Sequence, residues 1–446
     1  MSSSAPQSVA RVVITPLRAA LAAQQVNVID VLVRVQAPDM DAAPVGAIHA
    51  QRALALVIDS SGSMQGRPLE EAKRCALTVV KRLRPNDHLA VVQFDQDVRL
   101  LWPATEVRDG LAASEAIHRI RSGGSTALHA GWLQGAQALA TCPESMGLKR
   151  VILLSDGEAN QGERDPEVIA KACAEWASQG ITTSTYGLGE SFNEELMVTM
   201  ASRGGGNQYY GQTADDLMAP FEEELSFIDM RCLASLQLSC RVMPGVKLDV
   251  LNDLAAEGGG YRLADLAFGA ESWALLRLTV PAWALESVRH GNPLMHATLE
   301  ALDMAGQGVR LEAEPLNLPV LEQDAWLASP VSDLVQRRVT EVAAAQAMDT
   351  MRAALRRGDT AAVQELLSAA KREFGDSPWV QSILNSMERL AADQDGIRFL
   401  AKEMLYSSTT LRSKIRSVQE EKLQAADDAE VPAFLRRNGL QGSKRP

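Results

Sequence analysis

Two stretches of this chain are apolar without interruption and stop abruptly at carboxylates. Ala53-Leu54-Ala55-Leu56-Val57-Ile58 ends at Asp59, and Val151-Ile152-Leu153-Leu154 ends at Ser155-Asp156. A strand that is apolar on both faces has to be covered on both, which is the situation inside a parallel sheet flanked by helices. The pattern between and around them agrees. Helical spacing over 69–83, 110–120, 127–139 and 166–178 alternates with strand patterns at 88–94, 98–102 and 182–186. Alternation at these lengths specifies right-handed crossovers and a doubly wound, Rossmann-like α/β sheet. In such a sheet the carboxyl ends of the strands share one crevice, and Asp59 and Asp156 are expected there.

Outside residues 51–228 the period changes to two. Ile29, Val31, Val33 and Val35 alternate, predicting a strand exposed on one side; Leu236 to Val242 and Val246 to Val250 flank a Pro244-Gly245 turn. Alternating runs at 273–280, 297–301 and 309–313 extend this all-β pattern. The expectation is a β-sandwich over 229–325, joined by N-terminal strands within 1–50, with the α/β domain of 51–228 inserted between its strands. From Ser332 the spacing is helical, broken at Gly358-Asp359 and at Gly375-Asp376-Ser377-Pro378, where a stop, an N-cap serine and a first-turn proline follow in order. This predicts a helical domain over 326–420 and a flexible tail over 421–446. Trp379, Ile383, Met387 and Leu390 share a helical face and read as a core stripe.

The formal charge of −12 disfavours nucleic acid and anionic lipid as partners, because an acidic surface repels both. Five cysteines without CxxC spacing fit neither a disulfide framework nor a structural zinc site. No stretch reaches the ~18 uninterrupted apolar residues of a membrane span, and the first residues lack the pattern of a secretory signal. The expected setting is cytoplasmic, with no integral membrane segment.

The loop after the first buried strand reads Asp59-Ser60-Ser61-Gly62-Ser63, a carboxylate and two hydroxyls at alternate positions. Gly123-Gly124-Ser125-Thr126 and Ser155-Asp156-Gly157 supply further oxygens. Asp59, Ser61, Ser63, Thr126 and Asp156 together offer five oxygen-bearing side chains and no nitrogen or sulfur. That selects Mg2+, or Mn2+ or Ca2+, over zinc or copper. Octahedral magnesium takes about six oxygens, so room is left for a ligand from outside. With only two carboxylates nearby, the cation keeps positive charge and attracts an acidic group.

This set resembles the metal-ion-dependent adhesion site (MIDAS) of the von Willebrand factor type A (vWA) family: Asp59-x-Ser61-x-Ser63, then Thr126, then Asp156 in Leu-Leu-Ser-Asp-Gly. The likeness runs from about Arg52 to Leu225. It includes Thr185-Tyr186-Gly187-Leu188-Gly189 and the Gly204 to Tyr210 approach to a last strand. The resemblance implies that Ser61, Ser63 and Thr126 touch the metal while Asp59 and Asp156 act through water, and that a partner's Asp or Glu completes the shell. It implies a bacterial intracellular type, with partners such as an AAA+ ATPase or a component of kinase and phosphatase signalling. In that family, passage between closed and open states involves a metal-ligand exchange and a shift of the last helix, which here corresponds to about Asp215 to Leu225; the sequence leaves open whether this chain switches.

Enzymatic readings find less support. GxSxG and GxxxxGK[ST] are absent, and Gly204 to Gly206 lack the setting of a dinucleotide fingerprint. The alternative to a binding module is a metal-dependent hydrolase activating water at the same cation, with His129 or Glu158 as its base. The Glu222-Glu223-Glu224 run reads as a solvated helix face.

Overall fold

The unbroken apolar run 53–58 forms the centre of a six-stranded sheet. Its order is Val98–Glu106, His88–Phe94, Arg52–Asp59, Leu148–Ser155, Ile181–Leu188 and Gly205–Gly211. The first strand is antiparallel to its neighbour and the others are parallel. Alternate residues of the central strand enter opposite cores, which explains why none of them is polar. Leu54, Leu56 and Ile58 pack with Leu69, Ala72, Cys75, Ala76 and Val79 of helix Arg67–Arg82. Ala53, Ala55 and Val57 pack with Leu128, Trp132, Ala136 and Leu139 of helix Leu128–Ala140. The small residues on this second face let the helix approach closely: a Cβ on Gly135 would lie 2.5 Å from Val57 Cγ2. Helices Pro166–Ser178 and Glu194–Arg203 complete the same layer. The second of these is not foreseen from the helical spacing above.

This computed structural model describes residues 9–39, 51–143, 146, 148–156, 159–188, 193–211, 230–304, 306–392 and 396–412. The chain divides into two compact units, Gly46–Met230 with Met304–Gly306, and Met1–Val45 with Arg231–Asp303 and Gln307–Pro446. The tail 421–446, the 215–225 helix, the Glu222-Glu223-Glu224 run, Gly157 and Glu158 lie outside the described residues.

The second unit opens with a four-stranded antiparallel sheet ordered Arg11–Pro16, Asn27–Gln36, Glu271–Val280 and Lys247–Val250. Asn27–Gln36 precedes the α/β unit in sequence, yet it pairs from Asn27↔Val280 to Gln36↔Glu271 with a strand that follows it. The doubly wound domain is therefore an insertion between sandwich strands. A second, six-stranded sheet is ordered Ala256–Glu257, Gly260–Arg262, Arg231–Val242, Met295–Leu302 and Gly308–Glu312, with Leu266–Ala267 also paired to Arg231–Val242, and a short parallel pair joins Leu21–Ala22 to Val320–Leu321.

One expectation is corrected here. The strand Asn27–Gln36 has no open face over its middle: Val31, Leu32, Val33 and Val35 are all buried. The cover on the second side comes from helix Asp333–Arg356, whose Val335 and Val342 pack on Leu32, Trp273 and Leu275. Beside this contact Arg338 lies 4.7 Å over the Trp273 ring and pairs with Glu341 at 2.7 Å. Its flat guanidinium stacks on the indole while its charge is met one turn along the helix. Helices Thr360–Glu373, Pro378–Ala392 and Ile397–Leu411 follow, sharing a core that includes Met348, Leu367, Leu384 and Met404. The Trp379, Ile383 and Met387 stripe lies within that core, with Leu390 packed against it. The break at Gly358-Asp359 is a helix start, where Asp359 Oδ1 accepts from Ala362 N at 3.0 Å.

Candidate functional site

Three loops meet at the carboxyl edge of the six-stranded sheet. The first leaves the Arg52–Asp59 strand and stays anchored to its neighbour for one more residue, with Ser60 N donating to Phe94 O at 2.8 Å. Asp59 Oδ1 then accepts from Ser61 N at 2.8 Å, turning the chain back on itself so that residues 59, 61 and 63 gather on one side. Ser61 Oγ and Ser63 Oγ lie 3.1 Å apart. A 3-10 turn over Gly62–Met64 follows, with Met64 plugged into the core below.

The second loop is laid against the first by two backbone hydrogen bonds, Gly123 N to Ser60 O at 2.6 Å and Gly62 N to Gly124 O at 2.8 Å. These bonds lay the start of the segment that carries Thr126 against the 60–62 turn. The approach leaves no room for a side chain at position 123: a Cβ there would lie 2.0 Å from Asp95 Oδ2. Gly123→Ala is therefore expected to push the loop off Ser60 and to weaken cation binding at least about tenfold, given the lost loop hydrogen bonds. Titration calorimetry with MgCl2 checks this; unchanged affinity would show that the 123–126 loop has no part in the site.

The third loop follows Leu148–Ser155. Ser155 Oγ donates to Asp59 Oδ2 at 2.5 Å, so the two strand ends are bonded through the aspartate's second oxygen. Asp156 O accepts from Asn193 N at 2.9 Å, and Asn193 caps helix Glu194–Arg203 by accepting from Leu196 N at 3.2 Å. Asp59, Ser61 and Ser63 thus form one bonded group, with Asp156 close enough for its charge to act on Asp59. Thr126 joins them through the loop contacts.

The crevice is deep. Asp59 is 0% exposed, Ser61 and Thr126 1% and Asp156 6%, while Ser63 stands exposed at the mouth. Burial is the main reason the Asp59 carboxyl is pushed up to about 6. The charge of Asp156 adds to the rise, and hydrogen bonds from Ser155 and Ser61 oppose it. A buried carboxylate whose charging is opposed by burial and by the neighbouring Asp156, with the Ser155 hydroxyl bonded to it, suits a divalent cation. Asp59, Ser61, Ser63, Thr126 and Asp156 would hold it. Among the described residues no cluster of three or more His, Cys, Asp or Glu side chains is placed to hold a metal, so a cation at this edge rests on a mixed hydroxyl and carboxylate set.

Several residues shape the site in ways that carry no sequence signal. Ser155, in a segment expected to supply oxygens, spends its hydroxyl on Asp59 Oδ2, a role its position in sequence does not specify. Gln93 steadies the first loop by donating to Ser60 Oγ at 3.0 Å and to Arg121 O at 3.1 Å. Asn160 accepts from Thr126 N at 2.6 Å. His129, a candidate base, is half-buried, stacked 5.9 Å from Trp132, and held below its usual pKa chiefly by burial. Its ring packs rather than reaching toward Asp59 through any hydrogen bond of the described residues.

Residues 53–222 match the family described as von Willebrand factor type A domain. The chain contains a vWA domain. Uncharacterized protein sll0103 of Synechocystis sp. is 26% identical over 335 residues, covering 72% of this chain and 77% of that one. Among solved structures, a von Willebrand factor type A protein from Catenulispora acidiphila superposes with a TM-score of 0.63 at 18% identity, covering 87% of this chain and 91% of that one. The ArnB paralog VWA2 from Sulfolobus acidocaldarius gives 0.56 at 16% identity, covering 90% and 98%. At these identities the two structures speak for the fold. Their coverage extends past the vWA domain, so the sandwich and helical elements are part of the shared architecture. No described helix is long and apolar enough to cross a membrane.

Proposed function

We propose that this protein is a metal-dependent protein-binding module or scaffold rather than an enzyme. Its vWA domain holds Mg2+, or Mn2+ or Ca2+, on Asp59, Ser61, Ser63, Thr126 and Asp156, and presents it to an aspartate or glutamate of a protein partner. The observation that carries this reading is the bonded group at the strand ends: a 0% exposed Asp59, tied to Ser61 and Ser155 and facing the charge of Asp156, with Ser63 at an open mouth. A cation there supplies the attraction that a chain at −12 otherwise denies to acidic partners. Among partners of this chemistry, an AAA+ ATPase or a component of kinase and phosphatase signalling suits an intracellular bacterial setting. Five cysteines in the thiol form, four of them buried and none in a disulfide, favour the cytoplasm as that setting.

The rival hydrolase needs a base beyond the ligands. His129 is half-buried with its ring stacked on Trp132, which suits packing. The reading is tested in two steps. Calorimetry should find one Mg2+ or Mn2+ site, weakened at least about tenfold by Ser61→Ala or Thr126→Ala through loss of an oxygen ligand. Capture of partners from the native host should then be lost in EDTA and with Asp156→Ala while the circular dichroism spectrum is unchanged. A partner retained equally in EDTA would move the binding surface away from the crevice. Phosphoester or peptide turnover lost on Asp59→Ala would make the protein an enzyme instead.

A further inference from the structure

Thr126 and Asp156 lie 30 positions apart and on different loops, yet the loops are stitched together beside the site. Asn160 Oδ1 accepts from Thr126 N at 2.6 Å, and the carbonyl of Thr126 accepts from both Asn160 N at 3.2 Å and Gln161 N at 3.1 Å. One residue before, Ser125 Oγ donates to Gln161 Oε1 at 2.6 Å. Both backbone polar groups of Thr126 are thereby taken up by the segment that follows Asp156. Elsewhere the loop is tied by Gly123 N to Ser60 O, Gly62 N to Gly124 O and Ala127 N to Asp95 O, none of which holds Thr126 itself. A hydroxyl ligand is only as well placed as its backbone, and second-layer hydrogen bonds of this kind tune a metal site by orienting the ligands that touch the ion.

From this we infer that Asn160 is a positioning residue for the cation site: its side-chain carbonyl clamps the Thr126 backbone and couples the Thr126 loop to the Asp156 loop. The inference rests on the metal site proposed above and extends it to regulation of ligand placement. Asn160 is exposed, so its truncation empties no core and its effect is read on the site rather than on folding. Of the four bonds, the one from Thr126 N is the only one to depend on the Asn160 side chain. A substitution there removes the clamp while leaving the two backbone bonds in place.

The test uses the full chain and two readouts. In EDTA, amide hydrogen exchange at Thr126 should speed up about tenfold in Asn160→Ala, the amide having lost its acceptor. The melting temperature in EDTA should stay within about 2 °C of wild type, as for a surface change. Titration with MgCl2 should show affinity reduced about tenfold in Asn160→Ala and kept at or above wild type in Asn160→Asp, which retains the acceptor oxygen. Exchange that quickens without loss of Mg2+ affinity overturns the positioning role. So does an Asn160→Asp variant that binds as poorly as Asn160→Ala. Thr126→Ala separates the two ideas: if it abolishes Mg2+ binding while Asn160→Ala leaves it intact, the metal site stands and the clamp falls. If Thr126→Ala itself binds Mg2+ as wild type, the metal site is wrong and the clamp falls with it.

Discussion

Asp59→Asn should make the metal-free protein more stable and at the same time abolish its stabilisation by Mg2+. In the fold Asp59 is fully buried and its carboxyl is pushed up to about 6 from an ordinary 3.8, chiefly by burial. A carboxyl whose folded pKa is raised contributes stability that is fully present below 3.8 and lost as pH rises through about 6. At pH 7.5 without metal, the ionised Asp59 therefore costs the fold on the order of 3 kcal/mol. Asparagine is nearly isosteric. It keeps an acceptor for Ser61 N, and its amide can donate to Ser155 Oγ where the carboxylate accepted from it. The charge goes and the hydrogen-bond scaffold remains.

Thermal unfolding in EDTA provides the measurement. Wild type should lose stability between about pH 4 and pH 6 relative to Asp59→Asn and level off above, and at pH 7.5 the variant should melt higher by roughly 5–10 °C, given a few degrees per kcal/mol for a unit of this size. Adding Mg2+ should raise the wild-type midpoint, by mass action on the folded state, and leave the variant where it was. A variant that melts below wild type in EDTA would mean that Asp59 is held by interactions worth more than its burial costs. The strained, high-energy carboxylate proposed here would then not exist. The physical content is that the metal-free site stores an electrostatic cost, and a cation relieves it.

The fold was legible wherever local pattern and global packing agree. The runs at 53–58 and 151–154 could only be central strands, because their residues supply two cores in alternation, Leu54 and Leu56 to one side and Ala55 and Val57 to the other. Where cover comes from far along the chain, pattern misleads. The face of Asn27–Gln36 that carries Leu32 is closed by Val335 and Val342, some 300 residues later, and nothing in the local alternation encodes that. The helix Glu194–Arg203 gives no periodic signal, although Asn193 and two glutamates open it in the usual way. Its apolar positions, Leu196, Met197, Met200 and Ala201, are too few to make a long periodic signal. At the site, the carboxylates and hydroxyls stood out because their types and spacing have one obvious chemistry. Gln93 and Asn160 did not, because a supporting hydrogen bond needs only some donor or acceptor at a point in space, which many residues at many positions can supply.

The second large effect belongs to Trp132, on the helix that begins two residues after Thr126. Its ring is 0% exposed within the core beneath Ala55 and Val57, its Nε1 donates to the buried Thr183 Oγ1 at 3.0 Å, and His129 stacks on it from the preceding turn. Trp132→Ala removes most of a large side chain from a layer that glycines at 131 and 135 have drawn tight against the sheet, so neighbours cannot easily close the gap. The expected cost is about 3–5 kcal/mol. Trp132→Phe keeps most of the volume and loses the donor, stranding Thr183 Oγ1, for a cost of about 1–3 kcal/mol. Urea unfolding in EDTA followed by circular dichroism orders the three proteins; equal losses for both variants would assign the effect to the hydrogen bond rather than to packing. Because this helix extends the loop that carries Thr126, the same variants read how far the core sets the site. Trp132→Ala should weaken Mg2+ binding in folded protein while Trp132→Phe leaves it near wild type, since the ring's bulk, more than its N–H, holds the helix to the Arg52–Asp59 strand from which Asp59 projects.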